Sequence, residues 1–158
     1  MSYPVKLTLD DGVYVASCRD IPEFNSVGKT EAEALRESVD GLETALQMYV
    51  DDRQPIPAPS APRRGERIVY LPALAMAKLG LYRAMLDSGL RKADMVRRLK
   101  VHAPQIDRLL SLVHKSKLDQ VENAIHALGF RMVVAVQMLE QNRPRASSSA
   151  AKRDNARA

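Results

Sequence analysis

Cysteine, tryptophan and long apolar runs are scarce or missing in this 158-residue chain. Its single cysteine cannot form an internal disulfide, which excludes a disulfide-stapled secreted scaffold. Aromatic residues make up only 4%, so we expect no stacking platform for single-stranded nucleic acid. No apolar run approaches the roughly 20 residues of a membrane span. The opening residues MSYPVKLTLDDG meet two acids before any long apolar run, so we expect no signal peptide and a cytoplasmic protein.

Charge is distributed unevenly along the chain. Residues 1–60 hold 5 Lys and Arg against 11 Asp and Glu, a net charge of −6. Residues 61–158 hold 19 Lys and Arg against 8 Asp and Glu, a net charge of +11. This asymmetry predicts two units with different partners, a basic back half that favours a polyanion and an acidic front half that favours a basic protein surface.

The front unit combines a strand pattern with one long helix. Residues 3–9 alternate apolar and polar side chains, Asp11-Gly12 predicts a tight turn, and residues 13–18 complete a hairpin. We expect Ile21-Pro22 to end the hairpin, ahead of a short third strand over residues 23–27. A capping box at Thr30 and Glu33 starts a helix over residues 31–50. Its predicted apolar stripe consists of Leu35, Val39, Leu42, Leu46 and Tyr49.

A proline-rich connector separates this unit from a helical one. Residues 55–62 contain four prolines and predict an extended linker, and residues 67–71 predict a fourth strand in the front sheet. Apolar spacing then predicts a helix that starts near Pro72 and ends at Ser88-Gly89, and a short helix of about nine residues marked by Ala93 and Leu99. A second short helix is marked by Ile106 and Val113 with Pro104 in its first turn, and a further helix covers residues 117–128 with Gly129 ending it. Residues 130–136 are β-prone and suggest a last strand. Residues 139–158 predict a basic disordered tail.

The two short helices around Lys100-Val101-His102 have the spacing of a helix-turn-helix. The segment GLRKADMVRRLKVHAPQIDRLL resembles the Cro/C1 class of DNA-binding domains. Two positions depart from that class, because Lys100 stands where glycine is usual and Val96 where a small alanine is usual. A lysine at the turn has to adopt a left-handed backbone conformation or alter the turn slightly.

The exposed side of the second short helix carries the candidate DNA contacts. Gln105 can bond adenine, Arg108 can bond guanine and Ala103 can touch a thymine methyl group. Asp107 either accepts a hydrogen bond from cytosine or only orients Arg108. The predicted DNA-binding set is Lys92, His102, Ala103, Gln105, Asp107, Arg108, Lys115 and Lys117, with the lysines and His102 suited to phosphates. Because one such unit buries little surface, we expect a homodimer or a higher homo-oligomer.

The front unit resembles the amino-terminal domain of HicB-type antitoxins. The resemblance lies in Tyr3-Pro4-Val5, the Asp-Gly hairpin, Asp20-Ile21-Pro22, and Gly28 followed by TEAEA. It departs from the family at Pro22-Glu23-Phe24, where Pro-Gly-Cys is common. Together with AKLGLYRAM and VHAPQIDRLL, the pattern is similar to the helix-turn-helix subgroup of that family over residues 3–138.

This resemblance implies an α+β chain with two domains and a tail. A partial ribonuclease-H-like β-β-β-α-β domain (residues 1–71) would neutralise a small basic HicA-type toxin that cleaves mRNA. An all-α helix-turn-helix domain (residues 72–138) would bind operator DNA and repress the operon. Asp20 and Glu23 are the acids we expect to face the toxin. The expected partners are therefore the toxin, double-stranded operator DNA and further copies of the chain, with no membrane partner.

Other chemistries have weaker support in the sequence. His102, His114 and His126 are evenly spaced but fall on three predicted elements without accompanying Cys or carboxylate ligands, so we expect no metal and no cofactor. Cys18 is expected to be a small buried side chain, not a nucleophile. Asp10, Asp11 and Asp20 could form a nuclease metal cluster, but their positions favour turn roles. Two alternatives stay open: a stand-alone transcription regulator with a sensing front domain, and a small ribonuclease-H-like nuclease.

Overall fold

The computed structural model describes residues 1–136, and it is an α+β protein with a sheet region followed by a helical region. The expected β-β-β-α-β order and the helices after it are confirmed. The predicted tail (residues 139–158) and the last two residues of the predicted helix-turn-helix domain lie outside the described residues. Within the described chain no helix is both long and apolar enough to cross a membrane.

Four antiparallel strands form one sheet in the order β3-β2-β1-β4. They are β1 (Ser2–Asp10), β2 (Val13–Cys18), β3 (Ile21–Gly28) and β4 (Glu66–Tyr70). The predicted β1–β2 hairpin is confirmed: Asp10 pairs with Val13, and Asp11 and Gly12 between them have φ angles of 44° and 80°. Two positive φ angles suit the right-handed twist of the hairpin, which explains the Asp-Gly pair. Leu9, expected on the buried side, is instead 62% exposed.

The start of β3 differs from the expectation. The chain turns at Arg19 and Asp20, so Ile21 and Pro22 lie inside the strand instead of breaking it. Proline is tolerated there because β3 is an edge strand, where the missing N–H interrupts no central ladder. An irregularity in the β2–β3 pairing at Ser17 and Cys18 accompanies the turn.

Helix α1 (Glu31–Asp51) packs across the sheet, chiefly against β3. Thr30 Oγ1 accepts the Glu33 N–H at 3.1 Å, while Glu33 Oε2 accepts the Lys29 N–H at 2.7 Å, one residue earlier than a standard capping box. The buried face is rotated slightly from the predicted stripe, since Leu35, Val39 and Tyr49 are only half-buried. The fully packed positions are Ala34, Ser38, Leu42, Ala45, Leu46 and Val50.

Gly28 permits the close approach between the end of β3 and the first turn of α1. A Cβ atom at this position would lie 2.3 Å from the Ala34 backbone nitrogen and 2.8 Å from its Cα. Backbone atoms cannot move aside as a flexible side chain does, so a larger residue would push the helix off the sheet. The glycine ahead of TEAEA therefore has a packing role.

The linker and β4 behave as predicted. Residues 55–62 have no regular secondary structure, Ile56 is buried, and the Tyr3 hydroxyl donates to the Pro57 carbonyl at 2.8 Å. The chain then returns to the sheet, where β4 pairs with β1 and places Val69 opposite Tyr3.

The helical region contains α2 (Ala73–Asp87), α3 (Lys92–Leu99), α4 (Ala103–Leu110) and α5 (Leu118–Ala127). All four predicted helices are present, with Gly129 in a left-handed conformation after α5. Two expectations are wrong. Val113 lies beyond α4 and is 62% exposed, and residues 130–136 form no strand, because they lie along α2 where no neighbouring strand provides a ladder.

The sheet region and the helical region share one continuous hydrophobic cluster. Polar contacts reinforce the junction between them. The Tyr82 hydroxyl on α2 donates to the Gln54 carbonyl at 2.8 Å and lies 3.2 Å from the Tyr49 carbonyl. The Arg53 guanidinium donates to the Leu90 carbonyl at 2.9 Å. The end of α1 and the residues after it are therefore bonded to α2 and to the α2–α3 connection.

Candidate functional site

Helix α4 separates an anchoring face from an exposed face. Ile106, Leu109 and Leu110 are buried in the core. The remaining positions of the helix and its N-cap are exposed, namely His102, Ala103, Pro104, Gln105, Asp107 and Arg108. The face predicted to carry DNA contacts is therefore accessible along its length. Exposed positions are concentrated at the N-terminal end, where residues 102–105 are all exposed. The helix is only eight residues long, so its orientation depends on what holds its buried side.

In the turn before α4, Lys100 adopts the left-handed conformation, one of the two alternatives that the sequence left open. Its φ and ψ angles are 52° and 43°, and the Lys100 and Val101 N–H groups both point to the Val96 carbonyl. A non-glycine residue in this region costs about 1–2 kcal/mol. Val101 and Val96 are half-buried and pack against the core. The two departures from the Cro/C1 pattern are thus accommodated by a left-handed lysine and a partly exposed valine.

An ion pair joins the two short helices across the exposed surface. Lys92 Nζ, at the first turn of α3, lies 2.8 Å from Asp107 Oδ1 on α4. The acid that was expected to face cytosine or orient Arg108 therefore contacts Lys92. Both side chains are more than half exposed, so the pair contributes little stability. The lysine can exchange this carboxylate for a phosphate without a large cost.

Gln105 has a local role in addition to its exposed position. Its Oε1 accepts the His102 N–H at 3.0 Å, and its own N–H bonds the His102 carbonyl at 2.9 Å. This satisfies an N-terminal donor of α4 that the helix itself cannot pair. The side-chain Nε2 makes no hydrogen bond within residues 1–136, so it is the group that remains to contact a base.

Two grooves flank α4 and collect the predicted residues on either side. Lys92, Ala103 and Asp107 line the groove against α3. Gln105 and Arg108 line a second groove whose other wall is the 111–117 loop and α5. That wall contributes Lys115, Lys117, Gln120 and Asn123. Sequence reasoning missed Gln120 and Asn123, because nothing in a helical spacing pattern indicates that α5 turns its amide side chains toward α4.

A buried lysine that sequence reasoning missed holds the C-terminal end of α4. Lys78 on α2 has 0% exposure, and its Nζ lies 3.0, 2.5 and 2.5 Å from the carbonyl oxygens of Arg108, Ser111 and His114. Cations favour helix C-termini, where unpaired carbonyls carry partial negative charge. Burial lowers the pKa of Lys78, and the carboxylate of Glu43 on α1 opposes that effect. A lysine within the apolar run of α2 was the available signal.

Helix α1 also contacts the segment after α4 directly. Gln47 Oε1 accepts the N–H of Leu112, a buried residue, at 2.7 Å. Gln47 and Glu43 lie one turn apart on α1. Gln47 bonds the loop after α4 directly, and Glu43 raises the pKa of Lys78, which bonds the same loop. The helix of the sheet region therefore takes part in positioning the exposed helix of the other region.

The two front acids have different environments. Asp20 accepts hydrogen bonds from the Ser60 N–H at 2.9 Å and from its hydroxyl at 2.8 Å, which ties the β2–β3 turn to the linker. Burial raises the pKa of Asp20, but the two Ser60 hydrogen bonds together with the charges of Arg19 and Arg63 lower it overall. Neighbouring Arg19 bonds Glu66, Ser60 and the Ala61 carbonyl in the same cluster. The Asp20 side chain is only 12% exposed, so little of it faces outward.

Glu23 is the more accessible of the two acids. It lies on edge strand β3 and accepts the Tyr49 hydroxyl at 2.6 Å. This hydrogen bond lowers the pKa of Glu23 and raises that of Tyr49 to about 12. The carboxylate is therefore charged and oriented, with one oxygen engaged. Of the two acids predicted to face a basic partner, Glu23 is the more exposed.

Groups that could carry metal or redox chemistry are dispersed. Among residues 1–136, no three His, Cys, Asp or Glu side chains gather in a metal-holding arrangement. The three histidines lie at the start of α4, in the following loop and on α5. Cys18 is 4% exposed and burial raises the pKa of its thiol, as expected for a packed side chain.

Comparison with known proteins gives a consistent result. A family model described as "HicB_like antitoxin of bacterial toxin-antitoxin system" matches residues 2–80. "Antitoxin HicB" of Pseudomonas fluorescens is 42% identical over 85% of this chain and 93% of its own length. "Antitoxin HicB 2" of Photorhabdus laumondii is 40% identical (82% and 91% covered), and "Antitoxin HicB" of Escherichia coli K12 is 37% identical (82% and 94%). The chain belongs to the HicB-like antitoxin family.

Proposed function

We propose that this antitoxin binds and neutralises a HicA-type mRNA-cleaving toxin and represses its own operon by binding operator DNA. The observation that carries the proposal is the exposed polar face of α4, presented after the left-handed turn at Lys100 in a chain of the HicB-like family. Both activities belong to the cytoplasm, and neither requires a cofactor or an enzymatic step. The residue range 1–71 would serve the toxin, and 72–138 the DNA.

Operator binding would use the two grooves beside α4. The exposed face enters the major groove, where Arg108 bonds guanine, the Nε2 of Gln105 bonds a base edge and Ala103 meets a thymine methyl group. Lys92, Lys115 and Lys117 then neutralise phosphates and set the position without reading sequence. Asp107 holds Lys92 in place before DNA arrives. Two copies on half-sites about 34 Å apart, or a multiple of that distance, would supply the necessary affinity.

Toxin binding would use the acidic front of the chain. The net charge of −6 over residues 1–60 suits a small basic protein and would cover its RNA path by steric block and opposite charge. Glu23 on the open edge of β3 supports this surface because its carboxylate is exposed and ionised. Asp20 serves the turn and linker, so its contribution to the toxin contact would be indirect.

Fluorescence anisotropy with the DNA upstream of the coding sequence tests the operator activity. Arg108→Ala should cost roughly 1–3 kcal/mol on this DNA and little on random DNA, whereas Lys92→Ala should weaken both equally. Affinity of the unaltered chain should fall steeply as salt rises. Arg36→Ala, an exposed change on α1, is the matched control. If Arg108→Ala lowers the affinity for both DNAs equally, Arg108 contacts only phosphate and reads no base.

Co-expression with the toxin tests whether the two activities are separable. The Arg108→Ala chain should keep cells growing while activity of the operon promoter rises to the unrepressed level. A stand-alone regulator, the first alternative, would repress but fail to rescue growth. A ribonuclease-H-like nuclease, the second, would show metal-dependent cleavage by the purified chain. Absence of growth rescue by the unaltered chain would refute the antitoxin mechanism proposed here.

A further inference from the structure

Asp107 and Arg108 are neighbours in the sequence but lie on opposite flanks of α4. Asp107 lines the groove against α3, whereas Arg108 lines the groove against the 111–117 loop and α5. Within residues 1–136 the Asp107 carboxylate bonds Lys92, and no hydrogen bond or ion pair joins it to Arg108. The sequence left open whether Asp107 reads a base or orients Arg108, and this arrangement argues against the second role.

The groove against α3 holds the Asp107 carboxylate beside Lys92, with Nζ 2.8 Å from Oδ1. Arg97, another cation of this groove, is paired with Asp94 on the same helix. The other lining residues carry no side-chain donor, and they are Ala93, Val96 and Ala103. The second carboxylate oxygen, Oδ2, therefore accepts no hydrogen bond from residues 1–136.

A carboxylate on a surface that meets DNA discriminates between DNA sequences. Phosphates repel it, and an acid that loses water without gaining a donor costs free energy. The Asp107 side chain is 58% exposed and its pair with Lys92 is weak, so Lys92 can move to a phosphate with little loss. The carboxylate then needs a new donor, and DNA that offers none at this position is disfavoured.

The major groove offers such a donor in the amino group of cytosine, which an aspartate can accept. Adenine also presents an amino group, but its N7 acceptor lies beside it and repels a carboxylate. We propose that Asp107 is a specificity-determining residue that accepts a hydrogen bond from a cytosine amino group and disfavours DNA without one. The inference rests on the proposed operator binding and adds to it a base-reading residue on the α3 side of α4.

Fluorescence anisotropy of the full chain on upstream and random DNA tests this role. Asp107→Ala removes both the repulsion and the acceptor, so the ratio of the two affinities should fall at least about tenfold. Glu122→Ala, an exposed acid on α5 outside both grooves, changes the net charge equally and should leave the ratio within about twofold. Because both side chains are exposed, thermal unfolding should be nearly unchanged. An unchanged ratio in Asp107→Ala would overturn the proposal.

Substitution of single base pairs in the upstream DNA identifies the partner base. Replacement of one cytosine–guanine pair by thymine–adenine should cost the unaltered chain about tenfold in affinity, and Asp107→Ala less than about twofold. Asp107→Asn keeps an acceptor but loses the charge, so it should bind random DNA more tightly and retain part of this base preference.

The proposal fails if no cytosine loses its effect in Asp107→Ala, or if the base that does so is an adenine. A chain without any preference for upstream DNA would refute the proposed operator function itself. An unaltered chain that prefers upstream DNA, with the same preference in Asp107→Ala, would leave the operator function intact and refute the role of Asp107 alone.

Discussion

The sheet region and the helical region position their candidate surfaces by different means. The sheet region relies on local backbone geometry: a two-residue turn, an edge strand that admits Pro22, and a glycine that lets α1 touch β3. The helical region relies on hydrogen bonds from side chains distant in sequence, because Lys78 and Gln47 bond the end of α4 and the residues after it. That helix is only eight residues long. A short helix cannot orient itself, so its surroundings have to supply the missing contacts.

This difference connects the two candidate functions physically. Lys78 comes from α2, but Glu43 and Gln47 come from α1, the helix that packs on the front sheet. The loop after α4 therefore depends on the front region even though α4 belongs to the helical one. Variants that act on one region or on the junction can show how far the two are independent.

Substitution of Gly28 should give the largest effect. Gly28→Ala would place a Cβ atom 2.3 Å from the Ala34 nitrogen and should reduce the free energy of unfolding by about 3 kcal/mol. Gly80→Ala, within α2 and with open space around the new atom, should instead stabilise by about 0.5–1 kcal/mol. Chemical denaturation followed by circular dichroism measures both. Equal effects of the two changes would refute the close approach at Gly28.

Removal of the buried ammonium should come next. Lys78→Met keeps the packing volume but leaves three carbonyls around the end of α4 without their donor, which should cost about 1–3 kcal/mol. Hydrogen exchange should rise in residues 103–114 more than in the sheet. Lys115→Met, an exposed lysine in the same loop, is the matched control and should be near neutral. Uniform exchange changes across the chain would mean that the lysine stabilises the whole core, with no specific effect on α4.

Loss of one bond at the junction should have a smaller effect. Gln47→Ala removes the acceptor of the buried Leu112 N–H and should cost about 1 kcal/mol. Hydrogen exchange of Leu112 and its neighbours should accelerate, although the altered residue is in α1. Gln54→Ala offers a comparison, because its side chain bonds only a nearby carbonyl on the surface. Unchanged exchange at Leu112 would show that α1 does not stabilise the segment after α4.

Charge reversal at the sheet edge should have the smallest effect on the folded protein and act on association. Glu23→Lys leaves the core intact but should slow toxin binding several-fold at low salt, since steering depends on opposite charge. Glu37→Lys, an exposed acid on α1, is the matched reversal elsewhere on the front. Surface plasmon resonance gives both rates. Identical slowing by the two variants would mean that only the overall charge of the front region affects association and that Glu23 makes no specific contact with the toxin.

Local patterns in the sequence were sufficient for the element order, the Asp-Gly hairpin and the exposed face of α4. Each of these depends on nearest neighbours, periodic apolar spacing or turn chemistry, which short segments carry by themselves. For Lys100 the sequence left open a left-handed conformation or an altered turn, and the structure shows the left-handed conformation. Residues 130–136 were wrongly expected to form a strand, because β-propensity does not say whether a partner strand is present.

Only the tertiary structure decided which polar side chains meet. Lys92 with Asp107, Asp20 with Ser60, and Lys78 with the end of α4 join residues 15 to 40 positions apart. No spacing rule predicts such pairs, since they depend on how the helices cross and where the linker returns to the sheet. The sequence by itself determined the elements and the faces that they expose. Packing between those elements determined that a buried lysine and a glutamine from the front helix hold the helix proposed to contact DNA.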